Sequence, residues 1–510
     1  MSRVVTETTV ARADLDAVMV PRDGVVLERA SGQGRFELAE GPFADYRRTV
    51  VAETLPDGRV HVTQTVEFRL DIPYWGFIFV LPFKGVLGRL GPVPARTWWS
   101  PPDRFDARAA HVFGLLAAAS VMVGFLASLM TQTATFAVDE FAESNAAQGT
   151  ALAVTRAAAL FALPLVALAD RRGRRRIVIV TAIAGPIVAA TGALAPSLVW
   201  LTVSQTLTRS LALAMGITIA ILLAEEMPAN SRAYGVSLVS MAGAFGVGLI
   251  LFALPLADVD ERGWRAVYAL ALLGLPLAWD LRRRLPESRR FGAPHQDVPV
   301  RSHGARFRLL AVSGLLLAVF GAPASQFHNE FLRDELGFSG GRISLFTIAT
   351  NTPGVIGIVI GGRLADTRGR RPVAAVGLAV GTLATVAQFN SAGWPVWVWS
   401  LAGAIVGAAV VPALGVYGPE LFPTSLRGRL TGVITVISLV GSVLGLVAVG
   451  VLSERFDQLG PALALMAIGP LALAALVLLA YPETAHHTLE ELNPEDLPPP
   501  SLAPGAADLG

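Results

Sequence analysis

The chain has 510 residues, of which 53% are hydrophobic and only 16% are charged. A soluble protein of this length would carry about 25% charged residues, so the composition indicates a polytopic membrane protein. The lack of cysteine excludes disulfides and thiolate chemistry, and a formal net charge of +2 gives no reason to expect a nucleic-acid partner.

Residues 1–107 are largely polar and predict a separate N-terminal domain with a β-hairpin. The stretches 44–54 and 59–72 have strand character, and the turn sequence Leu55-Pro56-Asp57-Gly58 joins them. Gln64 is the one polar residue on the apolar face of the second strand. These features predict a small β-containing domain that ends in a linker.

An apolar stretch, residues 73–84, follows the hairpin and is too short to cross a bilayer. It fits an interfacial segment, with Lys84 and Arg89 reaching the lipid headgroups. It fits equally well a helix or strand that packs on the hairpin. Both interpretations remain open at this point.

Twelve apolar segments follow, each about long enough to span a bilayer. They cover residues 109–135, 147–169, 177–195, 198–223, 233–257, 264–280, 308–328, 343–363, 372–389, 393–417, 430–452 and 461–481. Arginines cluster in the loops after the second, sixth and eighth segments, which predicts cytoplasmic loops and two cytoplasmic termini. The acidic, Pro-rich tail, 485–510, is predicted to be disordered.

Three short motifs recur in the second half of the chain about 196 residues after their first copies, which indicates two related halves. The first motif surrounds an aspartate, the second begins with a glutamate, and the third is a Pro-Glu pair. The copies are Val166 to Arg175 and Gly362 to Arg371, Glu225-x-x-Pro228-x-x-x-Arg232 and Glu420-x-x-Pro423-x-x-x-Arg427, and Leu285-Pro286-Glu287-Ser288 and Tyr481-Pro482-Glu483-Thr484.

The stretch Gly362 to Arg371 resembles the G-x-x-x-D-x-x-G-R-R signature of the major facilitator superfamily (MFS). The motif set over 109–484 is similar to the sugar-porter and metabolite:proton symporter branches of that family. One departure is Val166, which stands where the first copy of the signature expects glycine.

The resemblance implies an all-α membrane protein of MFS fold, with twelve transmembrane helices in two pseudo-symmetric six-helix bundles. The bundles would occupy 108–290 and 307–484, with a central cytoplasmic loop at 291–306. A small β-containing cytoplasmic domain, 1–107, would precede them.

The repeated motifs contain a candidate cytoplasmic gate. Asp366 would lie at the C-terminal end of its helix, where the helix dipole disfavours an anion, so it needs an arginine or the N-terminus of another helix as partner. The resemblance implies that such charge pairs hold the cytoplasmic side closed in the outward-facing state. The predicted gate residues are Asp170, Arg174, Glu225, Arg232, Asp366, Arg370, Glu420 and Arg427.

Two arginines fall near the middle of predicted spans, where an unpaired charge is costly. Arg156 and Arg209 therefore predict an anion or carboxylate site, and the alternative is a structural hydrogen bond to a neighbour such as Gln205. Gln132, Gln326 and Asn351 are further substrate-binding candidates, although an amide within a helix also commonly joins two helices.

Proton coupling needs a titratable group that can be reached from the transport path, and no carboxylate lies deep in a predicted span. The candidates sit near the outer ends of the first and seventh segments: Asp139, Glu140, His328 and Glu330. His328 has the intrinsic pKa to respond to physiological pH.

The residues and the resemblance together predict a plasma-membrane transporter of a small organic solute, with an anion as one candidate cargo. The resemblance to the symporter branches implies proton-coupled uptake. A proton-driven efflux pump and a transporter-like receptor that signals through residues 1–107 are the alternatives. The seven histidines are scattered and there is no Gly-Lys-Ser/Thr phosphate loop, so no enzyme activity, metal or cofactor is expected. The lipid bilayer is the expected environment, and a monomer the expected state.

Overall fold

The computed structural model of the chain describes residues 1–94, 97–258, 260–291 and 299–496. Contacts divide the chain into two compact units. The first unit is Met1–Ala118 with Glu226–Ser231, and the second is Ala119–Glu225 with Arg232–Gly510. The first unit therefore includes the opening turns of a long helix that continues into the second.

A five-stranded antiparallel sheet, with strand order β1-β5-β4-β3-β2, forms the first unit. Its strands are β1 Ser2–Val10, β2 Leu27–Gly32, β3 Arg35–Glu40, β4 Phe43–Thr54 and β5 Val60–Leu70. Strands β4 and β5 form the predicted hairpin, and the turn is closed by the Leu55 N–H, which donates to the Arg59 carbonyl at 2.8 Å. The remaining three strands were not predicted.

Gln64 interrupts the apolar face of β5 because it belongs to a buried polar cluster. Its side chain is fully buried, accepts a hydrogen bond from Arg22 at 2.9 Å and donates to the Leu87 carbonyl at 3.2 Å. Glu28 and Arg48 form a second buried pair at 2.7 Å. Buried polar groups are tolerated when each finds such partners, so the cluster fixes the packing of the sheet.

Two short helices accompany the sheet, α1 Leu15–Val18 and α2 Gly76–Leu87. Helix α2 corresponds to the apolar stretch 73–84, and its residues Phe83 and Leu87 are buried against Phe43 and Phe68 of the sheet. The interpretation of this stretch as a helix that packs on the hairpin is therefore confirmed for one face of α2.

Helices make up most of the remaining described chain. In the first half these are α3 Ala107–Glu140, α4 Asn145–Arg156, α5 Ala158–Arg172, α6 Arg174–Ala190, α7 Leu198–Glu226, α8 Arg232–Ala253, α9 Trp264–Ala269 and α10 Leu275–Arg284. In the second half they are α11 Gly304–Gln326, α12 His328–Glu330, α13 Gly340–Asn351, α14 Gly354–Arg368, α15 Arg370–Phe389, α16 Trp394–Ala408, α17 Val410–Gly415, α18 Tyr417–Leu421, α19 Arg427–Phe456, α20 Leu459–Met466, α21 Ile468–Ala480 and α22 Leu489–Leu492.

Eleven helices among the described residues are long and apolar enough to cross a membrane, and they match eleven of the twelve predicted segments. The remaining segment, 264–280, is helical but divided into α9, a 3-10 turn at Leu270–Gly274, and α10. Arg265 and Asp280 near its two ends make this segment less apolar than the others.

The sequence repeat reappears in the way the helices pack. A Cβ atom added to Gly246 of α8 would lie 2.0 Å from the Val121 carbonyl oxygen of α3. A Cβ added to Gly445 of α19 would likewise lie 2.0 Å from the Val319 carbonyl oxygen of α11. Small residues allow such close backbone approach between membrane helices, and here the same contact occurs once in each half.

Candidate functional site

Asp170 and Asp366 each bind the N-terminus of a helix from the opposite half. Asp366 accepts hydrogen bonds from the backbone N–H groups of Ala233 at 3.1 Å and Tyr234 at 2.7 Å, at the start of α8. Asp170 accepts from Gly428 at 3.0 Å and Arg429 at 2.7 Å, at the start of α19. The positive end of a helix dipole compensates a carboxylate that its own helix disfavours.

The two motif glutamates join the halves through buried arginines. Glu225 pairs with Arg174 of its own half at 3.4 Å and with Arg427 of the other half.

Glu420 pairs in the equivalent way with Arg370 of its own half and with Arg232 of the other half, the latter at 3.1 Å. Both triads are shielded from solvent, since their side chains are at most 1% exposed. The structure thus brings all eight predicted gate residues together, in two clusters that we call the charge network.

Each of the two aspartate contacts includes a glycine that lets two helices pack closely. In one contact the glycine lies on the helix of the aspartate itself, and in the other it lies on the partner helix. A Cβ on Gly362 of α14 would lie 2.8 Å from the Ala233 carbonyl of α8. In the other contact the glycine is Gly428 of α19, whose Cβ would lie 2.8 Å from the Val166 carbonyl of α5. Valine at position 166 is therefore accommodated because the partner helix supplies the small residue.

Sequence reasoning missed the role of the third motif. Glu287 accepts from the backbone N–H groups of Arg174 at 3.0 Å and Arg175 at 3.1 Å, which caps the N-terminus of α6. Glu483 accepts from Arg370 at 2.9 Å and Arg371 at 3.2 Å, which caps α15. The repeat of the Pro-Glu pair after about 196 residues was the sequence signal that could have marked these residues.

Gly369 is required by this cap. Its φ angle is +104°, and a Cβ would lie 2.7 Å from a carboxylate oxygen of Glu483. Gly173 has the same role in the first half, with φ +98° and a Cβ position 2.3 Å from Glu287. Only glycine meets both the backbone and the space requirement here.

We therefore expect Gly369→Ala to destabilise the protein by about 1–3 kcal/mol, through backbone strain and displacement of the capping carboxylate. Gly450→Ala is the matched control, because Gly450 lies within α19 with open space around its Cβ position. Thermal unfolding in detergent should show a lower Tm for Gly369→Ala only. Equal Tm values for the two variants would contradict the assigned role.

The C-terminal tail is ordered further than predicted. Residues 485–496 pack beside the charge network, and the predicted disorder does not hold for them; residues 497–510 lie outside the described chain. Asn493 is fully buried, donates to the Glu420 carbonyl at 2.7 Å and accepts from Arg306 at 3.0 Å. A capping box at Thr488 and Glu491 starts α22, a local signal that the acidic composition concealed.

Glu490 connects this tail to the first half of the chain. Its carboxylate pairs with Arg290 at 2.9 Å. Partial burial acts to raise the pKa of Glu490, but the hydrogen bond and charge of Arg290 outweigh it, so the pKa lies below its ordinary value. Glu490 is therefore ionised at neutral pH, and the pair weakens only as the pH falls through that lowered pKa.

A cavity of about 440 Å³ lies between the two halves, next to the charge network. Its walls are mostly apolar, and its lining includes Leu213 of α7, Leu317 of α11 and Ile434 of α19. Polar atoms come from Ser313, Thr431 and Tyr481, and the Tyr481 hydroxyl donates to Ser313 at 2.7 Å. The cavity is large enough for a small organic molecule.

Three predicted binding residues lie near one another, farther from the charge network than the cavity is. They are Arg156, Arg209 and Gln326. Arg156 donates to the Gln326 side chain of the other half at 2.7 Å. Arg209 lies near enough to Arg156 for the two charges to repel each other. Gln205 donates to the Ala189 carbonyl and to Ser204, so it does not supply the structural bond to Arg209 that was the alternative.

Gln132 and Asn351 are not joined to this group by any hydrogen bond within the described residues. Gln132 is half-buried on α3, and Asn351 is exposed at the end of α13. Their part in substrate binding stays a prediction.

The four proton-coupling candidates are not gathered into one site in the part of the chain that the structure covers. Glu140 is held by Arg265 at 2.8 Å and by the Trp264 indole at 2.8 Å. The His328 Nδ1 lies 3.2 Å from the Gln388 amide, whereas Asp139 and Glu330 are exposed. Among the described residues, no group of three His, Asp or Glu side chains could hold a metal ion.

Sequence comparisons agree with this architecture. The family model described as Major Facilitator Superfamily matches residues 309–505. A putative metabolite transport protein of Haemophilus influenzae is 30% identical over 269 residues, which cover 48% of this chain and 65% of that protein. The glucose transporter GlcP of Staphylococcus epidermidis is 25% identical over 379 residues, which cover 64% of this chain and 83% of the relative.

A solved structure shows the same fold. The proton:xylose symporter XylE, bound to 6-bromo-6-deoxy-D-glucose, superposes with a TM-score of 0.62 at 18% identity, covering 76% of this chain and 98% of the symporter. The duplicated motifs, the charge network and these likenesses agree on one family. The chain is a multi-pass membrane protein with the fold of the major facilitator superfamily, and residues 309–505 match the model of that family of transporters.

Proposed function

We propose that the protein is a secondary active transporter that moves a small organic anion by alternating access. Arg209 carries this proposal. Its guanidinium group has no ion-pair or hydrogen-bond partner among the described residues, and it lies near the second positive charge of Arg156. An arginine inside a membrane bundle is costly unless it is paired, so a bound carboxylate would supply the missing charge.

The cavity supports a path for this solute. Leu213, which lines the cavity, follows Arg209 by one helical turn on α7. A solute released from the arginines toward the charge network would therefore enter the cavity next. The apolar walls would receive its carbon skeleton.

The charge network is the gate of this mechanism, and we place it on the cytoplasmic side because arginine is concentrated in its loops. Both triads are intact, so the conformation is closed on that side. Opening requires Arg232 to leave Glu420 and Arg427 to leave Glu225, and the pair between Glu490 of the tail and Arg290 must also break.

Proton coupling is assigned to the opposite end of the bundle, with His328 as the leading group. The His328 Nε2 atom is buried and has no hydrogen-bond partner in the described chain, so its protonation would need a rearrangement around it. Glu140 is the weaker candidate because Arg265 and Trp264 already hold its carboxylate.

Flux in proteoliposomes tests the proposal. Carboxylates, neutral sugars and cationic drugs should be compared, each with and without an imposed pH gradient. We expect uptake of carboxylates, accelerated when the outside is more acidic. The relative GlcP is a glucose transporter, so flux of neutral sugars alone, independent of the pH gradient, is the result that would overturn both the anion and the coupling.

A further inference from the structure

Helix α2 of the N-terminal domain is apolar on both of its faces. No charged residue occurs between Asp71 and Lys84. One face is buried on the sheet, but the other leaves Phe77, Ile78 and Leu81 exposed by 74%, 50% and 75%. A helix that is hydrophobic all round requires a second apolar partner besides the sheet.

The start of α2 lies beside the opening turns of α3, which is a membrane span. His111 of α3 bonds to Asp71 at 2.8 Å. A Cβ on Gly114 would lie 2.7 Å from Pro73, so the two backbones touch. These contacts place the N-terminus of α2 at the level where the apolar run of α3 begins.

The charges around α2 fit a lipid headgroup region. Lys84, the only lysine of the chain, lies in the last turn of α2, and Arg89 is exposed just beyond it. A membrane-surface helix commonly carries apolar residues toward the acyl chains and cations toward the phosphates.

We propose that the exposed face of α2, formed by Phe77, Ile78 and Leu81, inserts into the lipid interface on the side of the membrane where α3 begins. The N-terminal domain is then a membrane-bound module and not a freely tumbling one. Lipid is favoured over a second copy of the chain because the contacts at His111 and Gly114 hold α2 next to a bilayer-spanning helix. This inference does not depend on the transported solute.

Single-cysteine labelling provides the test, because the natural chain has no cysteine. Ile78→Cys is compared with Val51→Cys, since Val51 is an apolar residue of the same domain with a matching exposure of 51%, on the opposite face of the sheet. Each full-length variant carries an environment-sensitive fluorophore in nanodiscs of phosphatidylcholine and phosphatidylglycerol that contain spin-labelled lipid. We expect the label at position 78 to be quenched at least about threefold more strongly than the label at position 51.

Equal quenching at the two positions, with both labels accessible to aqueous iodide, would overturn the proposal. Disulfide-linked dimers formed through Leu81→Cys would also overturn it, because a second copy would then occupy the face. A circular dichroism spectrum equal to that of the natural chain shows that each variant is folded.

Discussion

Glu420→Gln should open the charge network and impair turnover. Glu420 neutralises both Arg232 and Arg370, and all three side chains are buried. Removing one member of a buried ionic cluster leaves the other charges uncompensated, at a cost of about 3–5 kcal/mol. The closed state should lose that stability, which corresponds to a shift of roughly 150- to 5,000-fold in the gate equilibrium, and flux should fall at least about tenfold.

The accessibility of the cavity to a reagent added on the side of the charge network measures this shift in the gate equilibrium directly. Thr431 lines the cavity, and Thr431→Cys would give the only thiol of the protein. A membrane-impermeant thiol reagent should label this position faster when Glu420→Gln is also present. Glu491→Gln is the control, because the Glu491 side chain is 57% exposed and lies outside both triads. Unchanged labelling and unchanged flux in the Glu420→Gln protein would refute the gate.

Arg209→Gln should remove most transport of anionic solutes. If a carboxylate pairs with Arg209, truncation of that pair in a desolvated site costs about 2–4 kcal/mol, which is a loss of roughly 30- to 1,000-fold in kcat/KM. Arg209→Lys keeps the charge but loses the forked geometry, so we expect it to retain an intermediate activity.

The matched control is Arg455→Gln, an exposed arginine near the end of α19. It should transport normally. The decisive measurement is the initial rate of carboxylate uptake by each variant in proteoliposomes. If Arg209→Gln kept the natural rate, the site would have to be sought elsewhere, for example among the polar groups of the cavity.

The charge network illustrates what short motifs can predict. Asp170 and Asp366 occupy equivalent positions about 196 residues apart, and each places a negative charge where the dipole of its own helix disfavours one. This was enough to predict an external partner for both. The motifs did not reveal that each aspartate binds backbone N–H groups of the opposite half. That partner is a helix terminus, and a helix terminus carries no side-chain signature of its own.

The tail shows the opposite case. Its acidic and Pro-rich composition predicted disorder, because few apolar residues are available there to offset the entropy of ordering. Asn493 and Glu490 are instead fixed by partners far away in the chain, among them Arg306 and Arg290. The composition of a segment reports only the apolar residues that the segment itself contains. It does not include the hydrogen-bond donors and acceptors that other parts of the folded chain offer to it.

The membrane fold, the two related halves and the residues of the charge network were all readable along the chain, since hydropathy and motif spacing are local properties. The packing of the halves decided the rest: which arginine meets which glutamate, how Glu483 caps α15, and that Arg156 reaches Gln326 while Arg209 is left without a partner among the described residues. These contacts join residues separated by about 50 to 200 positions, and their geometry is set by helix packing, which no local pattern encodes.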